Sequence, residues 1–115
     1  MLKQVLILCG FLVGFFSQKY PSEGYIHFVG IHPDVRKSGL ARTLYQKFFN
    51  TCLLDSRTIV KSCTAPINKL SIGFHKQMGF SIEPGNSEID GLPITTGYLD
   101  KNDQKVLFKK ILTPR

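Results

Sequence analysis

The sequence predicts an α+β fold in which a mixed β-sheet is flanked by two helices. Two stretches repeat apolar residues at the spacing of an α-helix, and shorter runs rich in β-branched and aromatic residues are typical of strands. A chain of 115 residues buries one core, so residues 1–115 are expected to form one domain. The composition, 43% hydrophobic and 20% charged, is that of an ordinary globular domain.

The first 17 residues allow two interpretations. Lys3 and the apolar run over residues 5–16 have the order of a secretory signal, but the run is short for a membrane-spanning helix and no small-x-small cleavage site follows it. The interpretation that we favour is a buried hairpin, with strands at residues 3–8 and 11–17 and a turn at Cys9-Gly10. Buried strands form continuous apolar runs of this kind.

A strand is predicted at residues 25–31, after a turn-rich connection over residues 18–24. Gly30 within this strand indicates either a β-bulge or a close approach of the backbone to another group. A helix is predicted at residues 40–53. Its apolar residues form two adjacent rows that we assign to the core: Leu40, Leu44 and Phe48 in one, and Ala41, Tyr45, Phe49 and Cys52 in the other.

The next two elements are a strand and a second helix. Residues 57–64 are rich in β-branched side chains and predict a strand. Residues 66–78 predict a helix with Leu70, Phe74 and Met78 on its apolar face.

The rest of the chain is less regular. A short strand is predicted at residues 80–83, a long polar loop at 84–104 and a final strand at 106–112. The expected element order is therefore β-β-β-α-β-α-β-β.

The charge of the chain predicts an anionic partner. A formal net charge of +7 suits nucleic acid, an acidic membrane or a phosphorylated cofactor. The basic residues are dispersed, apart from the pair Lys109-Lys110, so no dense nucleic-acid-binding stripe is visible. Charge alone does not choose among these three partners. The positive charges clustered from Arg36 to Arg42 favour a phosphorylated cofactor, and we predict neither nucleic acid nor a membrane as partner.

The three cysteines predict neither a disulfide framework nor a zinc site. Cys9, Cys52 and Cys63 are odd in number and have no CxxC spacing. Reduced thiols in a cytoplasmic protein without a metal are the expected state. A catalytic cysteine is the alternative, although no base is placed beside one.

Residues 30–42 carry the clearest functional signal. A strand, a short basic loop and the start of a helix follow one another, and the first amides of a helix bind anions because they lack intrahelical partners and face the positive end of the helix dipole. Gly39 allows close approach of a ligand, and Arg36, Lys37 and Arg42 add positive charge. The expected ligand is a phosphate or pyrophosphate, and a solvated surface turn is the alternative.

Two motifs resemble one known family. The pattern Arg36-x-x-Gly39-x-Ala41 resembles the pyrophosphate loop of the GNAT superfamily, the acetyl-CoA-dependent N-acyltransferases, and Val-Gly-Ile-His-Pro-Asp at residues 29–34 resembles the strand end before that loop. Residues 68–80 resemble the family's later motif, an Asn, a small residue, an aromatic pair and Gly-Phe. The pattern is neither a P-loop nor a dinucleotide fingerprint.

The resemblance implies a fold and an activity. The fold is a GNAT-like, mostly antiparallel sheet that lacks the family's N-terminal strand and helices, since Met1 falls almost directly on the first hairpin. Those helices form one wall of the acceptor groove in relatives, so a truncated chain or a homodimer is expected. The implied activity is direct transfer of an acetyl group from the co-substrate acetyl-CoA to a primary amine on a small molecule or peptide.

The resemblance also implies which residues bind the cofactor. The amides of residues 37–41 would hold the pyrophosphate, and the main chain of one bulged strand would pair with the pantetheine arm where that strand splays from its neighbour. Asn68 would either bond the pantetheine or cap its helix. The full implied set is Val29, Ile31, Arg36, Lys37, Ser38, Gly39, Leu40, Ala41, Arg42, Asn68 and Phe74.

Three residues are candidates for proton transfer. His75 stands where many relatives have a Tyr beside the thioester sulfur, which implies a general acid, and a helix-surface histidine without a role is the alternative. The strand that carries a Glu base in relatives has no carboxylate here, so Glu23 and a water-linked His27 are the candidate bases. A degenerate CoA-binding module and a small basic nucleic-acid binder remain alternatives to the enzyme.

Overall fold

The computed structural model describes residues 10–31, 39–98 and 101–113, with only the main chain of Phe28 and Ile31. Within these ranges the mixed, mostly antiparallel sheet with two helices is confirmed. Its elements in chain order are β1 (Gly10–Phe16), β2 (Glu23–Ile31), α1 (Leu40–Leu54), β3 (Ile59–Thr64), α2 (Lys69–Gln77), β4 (Ser81–Ile82), β5 (Ser87–Ile89), β6 (Leu92–Thr96) and β7 (Gln104–Ile111).

The strands lie in the order β1-β2-β3-β7-β6-β5, and β4 pairs with β7 beside β6. Strand β7 thus has β3 on one edge and both β4 and β6 on the other. Among the strands that the structure describes, β2 and β3 are the parallel pair and the other pairs are antiparallel. The connection between the parallel strands is α1, as a parallel crossover requires.

A β-bulge interrupts the pairing of β1 with β2. The register shifts between Val13 and Gly14, which leaves His27 as the extra residue on β2. Of the two interpretations of Gly30, the bulge is therefore wrong and the close approach is correct. Gly30 pairs with Phe11, and a Cβ at Gly30 would lie 2.6 Å from the Phe11 ring.

The first helix was predicted well. Helix α1 begins and ends within one residue of the predicted bounds, and it buries the row that contains Tyr45, Phe49 and Cys52. The other predicted row is only half-buried. Its Phe48 ring lies over Gly14 of β1, where any Cβ would overlap the ring, so the absence of a side chain there lets α1 approach the sheet.

The second helix buries part of the predicted face. Phe74 packs half-buried against the core and Met78, just after the helix, is buried, as predicted, whereas Leu70 is 86% exposed. Ile72 and His75 are also buried. The buried stripe therefore extends toward His75, because a histidine does not count toward an apolar pattern in the sequence.

The predicted polar loop at residues 84–104 contains a hairpin, so this part of the prediction was wrong. Strands β5 and β6 are joined at Asp90 and Gly91, which have φ angles of 51° and 80°. Two successive residues in the left-handed region form the turn that matches the twist of a hairpin, and Asp-Gly is its common sequence. The hairpin is mostly exposed: Ile94 is its buried residue, and Leu92 packs half-buried against the core.

The core lies on one face of the sheet, beneath both helices. Its fully buried side chains include Tyr45 of α1, Val60 of β3, and Val106 and Phe108 of β7. The helices meet through the edge-on contact of the Tyr45 and Phe74 rings, whose centroids are 5.0 Å apart.

The opposite face of the sheet is open in the part of the chain that the structure describes. Phe11, Val13 and Phe15 of β1 are 43–50% exposed on it. The predicted buried hairpin is therefore wrong in two respects, since this face of β1 is exposed and Gly10 begins the strand instead of a turn. The strand predicted at residues 3–8 lies outside the described residues.

Candidate active site

Strands β2 and β3 diverge after a short paired segment. They pair in parallel from Glu23 to Tyr25, opposite Ile59 to Lys61, and no pairing is recorded between them further along. At the point of divergence the Ser62 hydroxyl contacts the Ile26 carbonyl oxygen at 3.5 Å. We call this opening the splay. The edge of β2 that faces it is left without strand partners among the described residues, as the pantetheine site of Val29 and Ile31 requires.

The start of α1 has the geometry of an anion site. Gly39 adopts a left-handed conformation with φ 84°, and its carbonyl oxygen accepts the first intrahelical bond from the Thr43 amide at 3.1 Å. The amides of Leu40, Ala41 and Arg42 therefore precede the first bonded turn, and no acceptor among the described residues is recorded for them. The first turn also contains no acidic residue.

The rest of the predicted anion cradle is only partly visible. The side chain of Arg42 is exposed, and those of Leu40 and Ala41 are half-buried. A Cβ at Gly39 would meet no atom of the described residues within 4 Å. Arg36, Lys37 and Ser38 lie outside the described residues, and their roles stay predictions.

Asn68 and Phe74 lie on α2. The side-chain oxygen Oδ1 of Asn68 accepts a bond from the Ser71 amide at 3.2 Å, so the capping alternative is observed. A bond from Asn68 to the pantetheine arm stays a prediction. The Phe74 ring is half-buried against Tyr45, so it packs on the core, and its place in the cofactor site stays a prediction.

His75 is a core residue. It is 3% exposed, and its ring stacks on Phe108 with centroids 4.2 Å apart and planes within 2°. Its Nδ1 lies 2.8 Å from the Ser71 carbonyl oxygen and its Nε2 lies 2.9 Å from the Tyr45 hydroxyl. A carbonyl oxygen only accepts, so Nδ1 carries the proton and Nε2 accepts the Tyr45 O–H.

This geometry corrects the predictions for His75. The surface location is wrong, and the ring faces the core instead of a cavity. Burial lowers the pKa of His75, against the opposing effect of the Ser71 backbone bond, so the ring is neutral at pH 7. The structure therefore gives His75 no spare proton and no path to a thioester, and the general acid role has no support from it.

The buried imidazole predicts that stability falls in mild acid. Because the folded-state pKa of His75 lies below the unfolded value of about 6.5, the unfolded chain takes up a proton first as the pH falls. The free energy of unfolding should therefore decrease below about pH 6.5, by at most about 1.4 kcal/mol per pH unit. Urea unfolding at pH 7.5, 6.5 and 5.5 measures this slope.

The control for this prediction removes the titrating ring. Among the described side chains that contact His75, Tyr45 is the titratable one. Burial raises the pKa of its phenol, so Tyr45 stays protonated throughout this pH range. The double variant His75→Phe/Tyr45→Phe should show a flatter stability profile between pH 7.5 and 5.5. An equal slope in both proteins would assign the effect to other groups.

Two adjoining cavities lie on the open face of the sheet. One, of about 670 Å³, lies at the splay, and we call it the splay cavity; beyond three shared aromatic residues it is lined by His27, Cys63, Thr64, Ala65 and Lys105. The other, of about 480 Å³, contains Glu23, Lys61 and Glu83, and we call it the charged cavity. The two candidate bases are thus separated, since His27 lies in the first and Glu23 in the second.

Tyr25 lies between the two cavities, and the sequence analysis did not select it. Its hydroxyl is 3.0 Å from the Tyr98 hydroxyl and donates to Cys63 Sγ at 3.5 Å. Burial, together with these two contacts, raises the pKa of Tyr25, so the phenol stays protonated. The alternation of a strand places Tyr25 on the same face as Glu23 and His27, and this signal could have identified it.

Charged contacts hold the walls of the charged cavity. Lys61 Nζ bonds Glu83 at 2.8 Å. Burial alone would lower the pKa of Lys61, but Glu83 and, more weakly, Glu23 outweigh it and hold the pKa above its usual value. Arg57 ties the connection before β2 in place, because its guanidinium donates to the carbonyl oxygens of Ser17 at 2.9 Å and Glu23 at 2.8 Å.

The described cysteines are free thiols. Cys52 is buried under α1, and burial raises its pKa to about 11, so it is not a reactive thiolate at neutral pH. Cys63 is half-buried in the splay cavity. In the described ranges no cluster of three or more His, Cys, Asp or Glu side chains could hold a metal, and no helix is long and apolar enough to span a membrane.

Solved structures confirm the fold. A protein described as a GNAT-family acetyltransferase from Desulfovibrio desulfuricans matches 91% of this chain with a TM-score of 0.75 and 17% identity. Ard1 from Thermoplasma volcanium matches 91% of this chain with a TM-score of 0.73 and 21% identity. A chain of the NatC complex bound to Gag peptide and CoA matches 91% with a TM-score of 0.72 and 16% identity. The chain covers only 62%, 64% and 62% of these three proteins, respectively.

The sequence gives the family directly. None of the curated proteins matches the chain closely enough to be called a relative. The model of the acetyltransferase (GNAT) family, however, matches residues 6–80, which include the splay, the start of α1 and all of α2. The chain therefore belongs to the GNAT acetyltransferase family.

Proposed function

We propose that this protein transfers an acetyl group from acetyl-CoA to a primary amine by direct attack of the amine on the thioester. The observation that carries the proposal is the splay of β2 from β3 combined with an open helix start. Gly39 follows the end of β2 after residues 32–38, so an unpaired strand edge and an anion site adjoin along the chain. A cofactor with a pyrophosphate and an amide-containing arm suits both features.

The residues fit acetyl-CoA in the order that the family motif implies. The first amides of α1, from Leu40 onward, would hold the pyrophosphate with help from Arg42, and Arg36, Lys37 and Ser38 would complete the cradle. The main chain of Val29 and Ile31 would pair with the pantetheine arm. When bound, acetyl-CoA supplies an activated acyl carbon and a thiolate leaving group.

The chain's own contribution is orientation and proton handling. Holding the amine beside the thioester supplies much of the acceleration of such a reaction, because it removes the entropy cost of bringing two reactants together. His27, at the bulge and in the splay cavity, is our candidate base through a water molecule. Glu23, in the charged cavity, is the second candidate. A cytoplasmic location and a homodimer also stay predictions.

Titration calorimetry with acetyl-CoA tests the proposal, followed by an assay of thiol release with a panel of small amines and peptide N-termini. We expect a dissociation constant below about 1 mM and thiol release that depends on the amine. An absence of binding at millimolar acetyl-CoA would reject the proposal.

A second candidate function is CoA binding without transfer. The burial of His75 favours it, because the residue predicted to protonate the leaving thiolate does not face a cavity. Binding of acetyl-CoA without thiol release for any amine in the panel would support this candidate and reject the enzyme.

A further inference from the structure

An aromatic partition separates the two cavities on the open face. Phe15, Tyr25 and Tyr98 line both cavities. The rings of Phe15 and Tyr25 stack with centroids 5.3 Å apart, and the hydroxyls of Tyr25 and Tyr98 lie 3.0 Å apart. These contacts join β1, β2 and the segment after β6, so the partition is fixed from three parts of the chain.

The hydroxyl contacts give the partition a defined order. Tyr25 donates its proton to Cys63 Sγ, so the proton between the two tyrosines comes from Tyr98. Tyr25 is thereby held at both its ring and its hydroxyl, whereas Tyr98 is 38% exposed and contacts Tyr25 through its hydroxyl. Tyr98 is therefore the part of the partition that can be removed with little cost to the core.

The two cavities differ in chemistry. Beyond the partition, none of the described residues that line the splay cavity is a carboxylate, and its Lys105 ammonium lies 3.6 Å from Asp103. A second cation on an acceptor would face Lys105 there, whereas an apolar body would rest on the aromatic rings. The splay cavity thus suits a primary monoamine with an apolar body, and the charged cavity does not.

We infer that Tyr25 and Tyr98 set the length limit of the amine acceptor, an inference that rests on the proposed acetyl transfer. The acceptor lies in the splay cavity with its amine toward the splay, and the two tyrosine rings stop its apolar body from extending into the charged cavity. Removal of the Tyr98 ring joins spaces of about 670 and 480 Å³. Longer amines then fit.

Binding of butylamine and octylamine in the presence of CoA tests this inference without turnover. In the wild-type protein, titration calorimetry should show octylamine binding no better than butylamine, although its longer chain has more apolar surface to bury. In Tyr98→Ala the ratio of octylamine to butylamine affinity should rise at least about tenfold. Far-ultraviolet circular dichroism confirms that the variant is folded.

Two further variants serve as controls. Tyr98→Phe keeps the ring and loses the hydroxyl bond, so the affinity ratio should change by only about threefold. Tyr20→Ala removes an exposed aromatic side chain that lines the charged cavity alone, and it should leave the ratio unchanged.

An unchanged ratio in Tyr98→Ala overturns the inference, and so does a failure of both amines to bind the wild-type and variant proteins. The result is separate from the test of acetyl transfer. If the affinity ratio shifts in Tyr98→Ala but the protein releases no thiol, the length limit is supported and acetyl transfer is rejected. If the protein releases thiol but the ratio does not shift, acetyl transfer is supported and the length limit is rejected.

Discussion

Replacing Gly39 with Glu should weaken the binding of acetyl-CoA by at least about 100-fold. Gly39 precedes α1 in a left-handed conformation, and a side chain there would meet none of the described residues within 4 Å. A carboxylate in that position would compete with the pyrophosphate for the first amides of α1 and repel its charge. Calorimetry on the wild-type and variant proteins measures the change.

The matched control separates charge from backbone strain. Asn tolerates the left-handed region better than other side chains, so Gly39→Asn adds bulk with little strain and no charge. We expect Gly39→Asn to lose about tenfold in affinity or less, with its melting temperature near that of the wild type. If Gly39→Glu bound acetyl-CoA as well as Gly39→Asn does, the pyrophosphate would have to lie elsewhere.

The helix start that forms the candidate anion site was predictable because its signals are local in the sequence. The apolar repeat of α1, the glycine before it and the basic residues around it lie within one short stretch, and local conformation follows from such patterns. The bounds of α1 agree with the prediction within one residue. The position of the bulge was not predictable in this way, because it depends on how β1 and β2 pair in register.

The missed hairpin had a local signal that was outweighed by composition. Asp90-Gly91 is a strong turn sequence, but the flanking residues are polar and mostly exposed. Strands that bury one residue between them show little of the alternation by which strands are recognised. Turn chemistry was therefore the more reliable guide at this position than hydrophobicity.

The arrangement of the open face of the sheet depends on contacts between distant residues. Strand alternation indicates that Glu23, Tyr25 and His27 share a face, but the bond between Tyr25 and Tyr98 joins residues 73 positions apart. In the same way, the burial of His75 depends on Tyr45, 30 residues away. Contacts between residues so far apart in the sequence are set by the fold. The sequence alone therefore identified β2 and α2, but not the contacts that Tyr25 and His75 make.

The role of His75 can be decided by its removal. Substitution by Ala should destabilise the protein by about 3 kcal/mol or more, because it leaves a cavity against the Phe108 ring and a buried Tyr45 hydroxyl without an acceptor. Substitution of the exposed neighbour Lys76 by Ala should change stability by less than about 0.5 kcal/mol. Urea unfolding at pH 7.5 measures both.

A double-mutant cycle then distinguishes a structural role from an acid–base one. His75→Phe preserves the stack on Phe108 but leaves the buried Tyr45 hydroxyl without an acceptor. Because Tyr45→Phe removes that hydroxyl, the double variant should be more stable than His75→Phe alone. The double variant should also transfer acetyl groups at a rate within about tenfold of the wild type. A general acid accelerates a reaction by about 10²- to 10⁴-fold. If the rate of the folded double variant fell that far, His75 would be assigned an acid–base role after all.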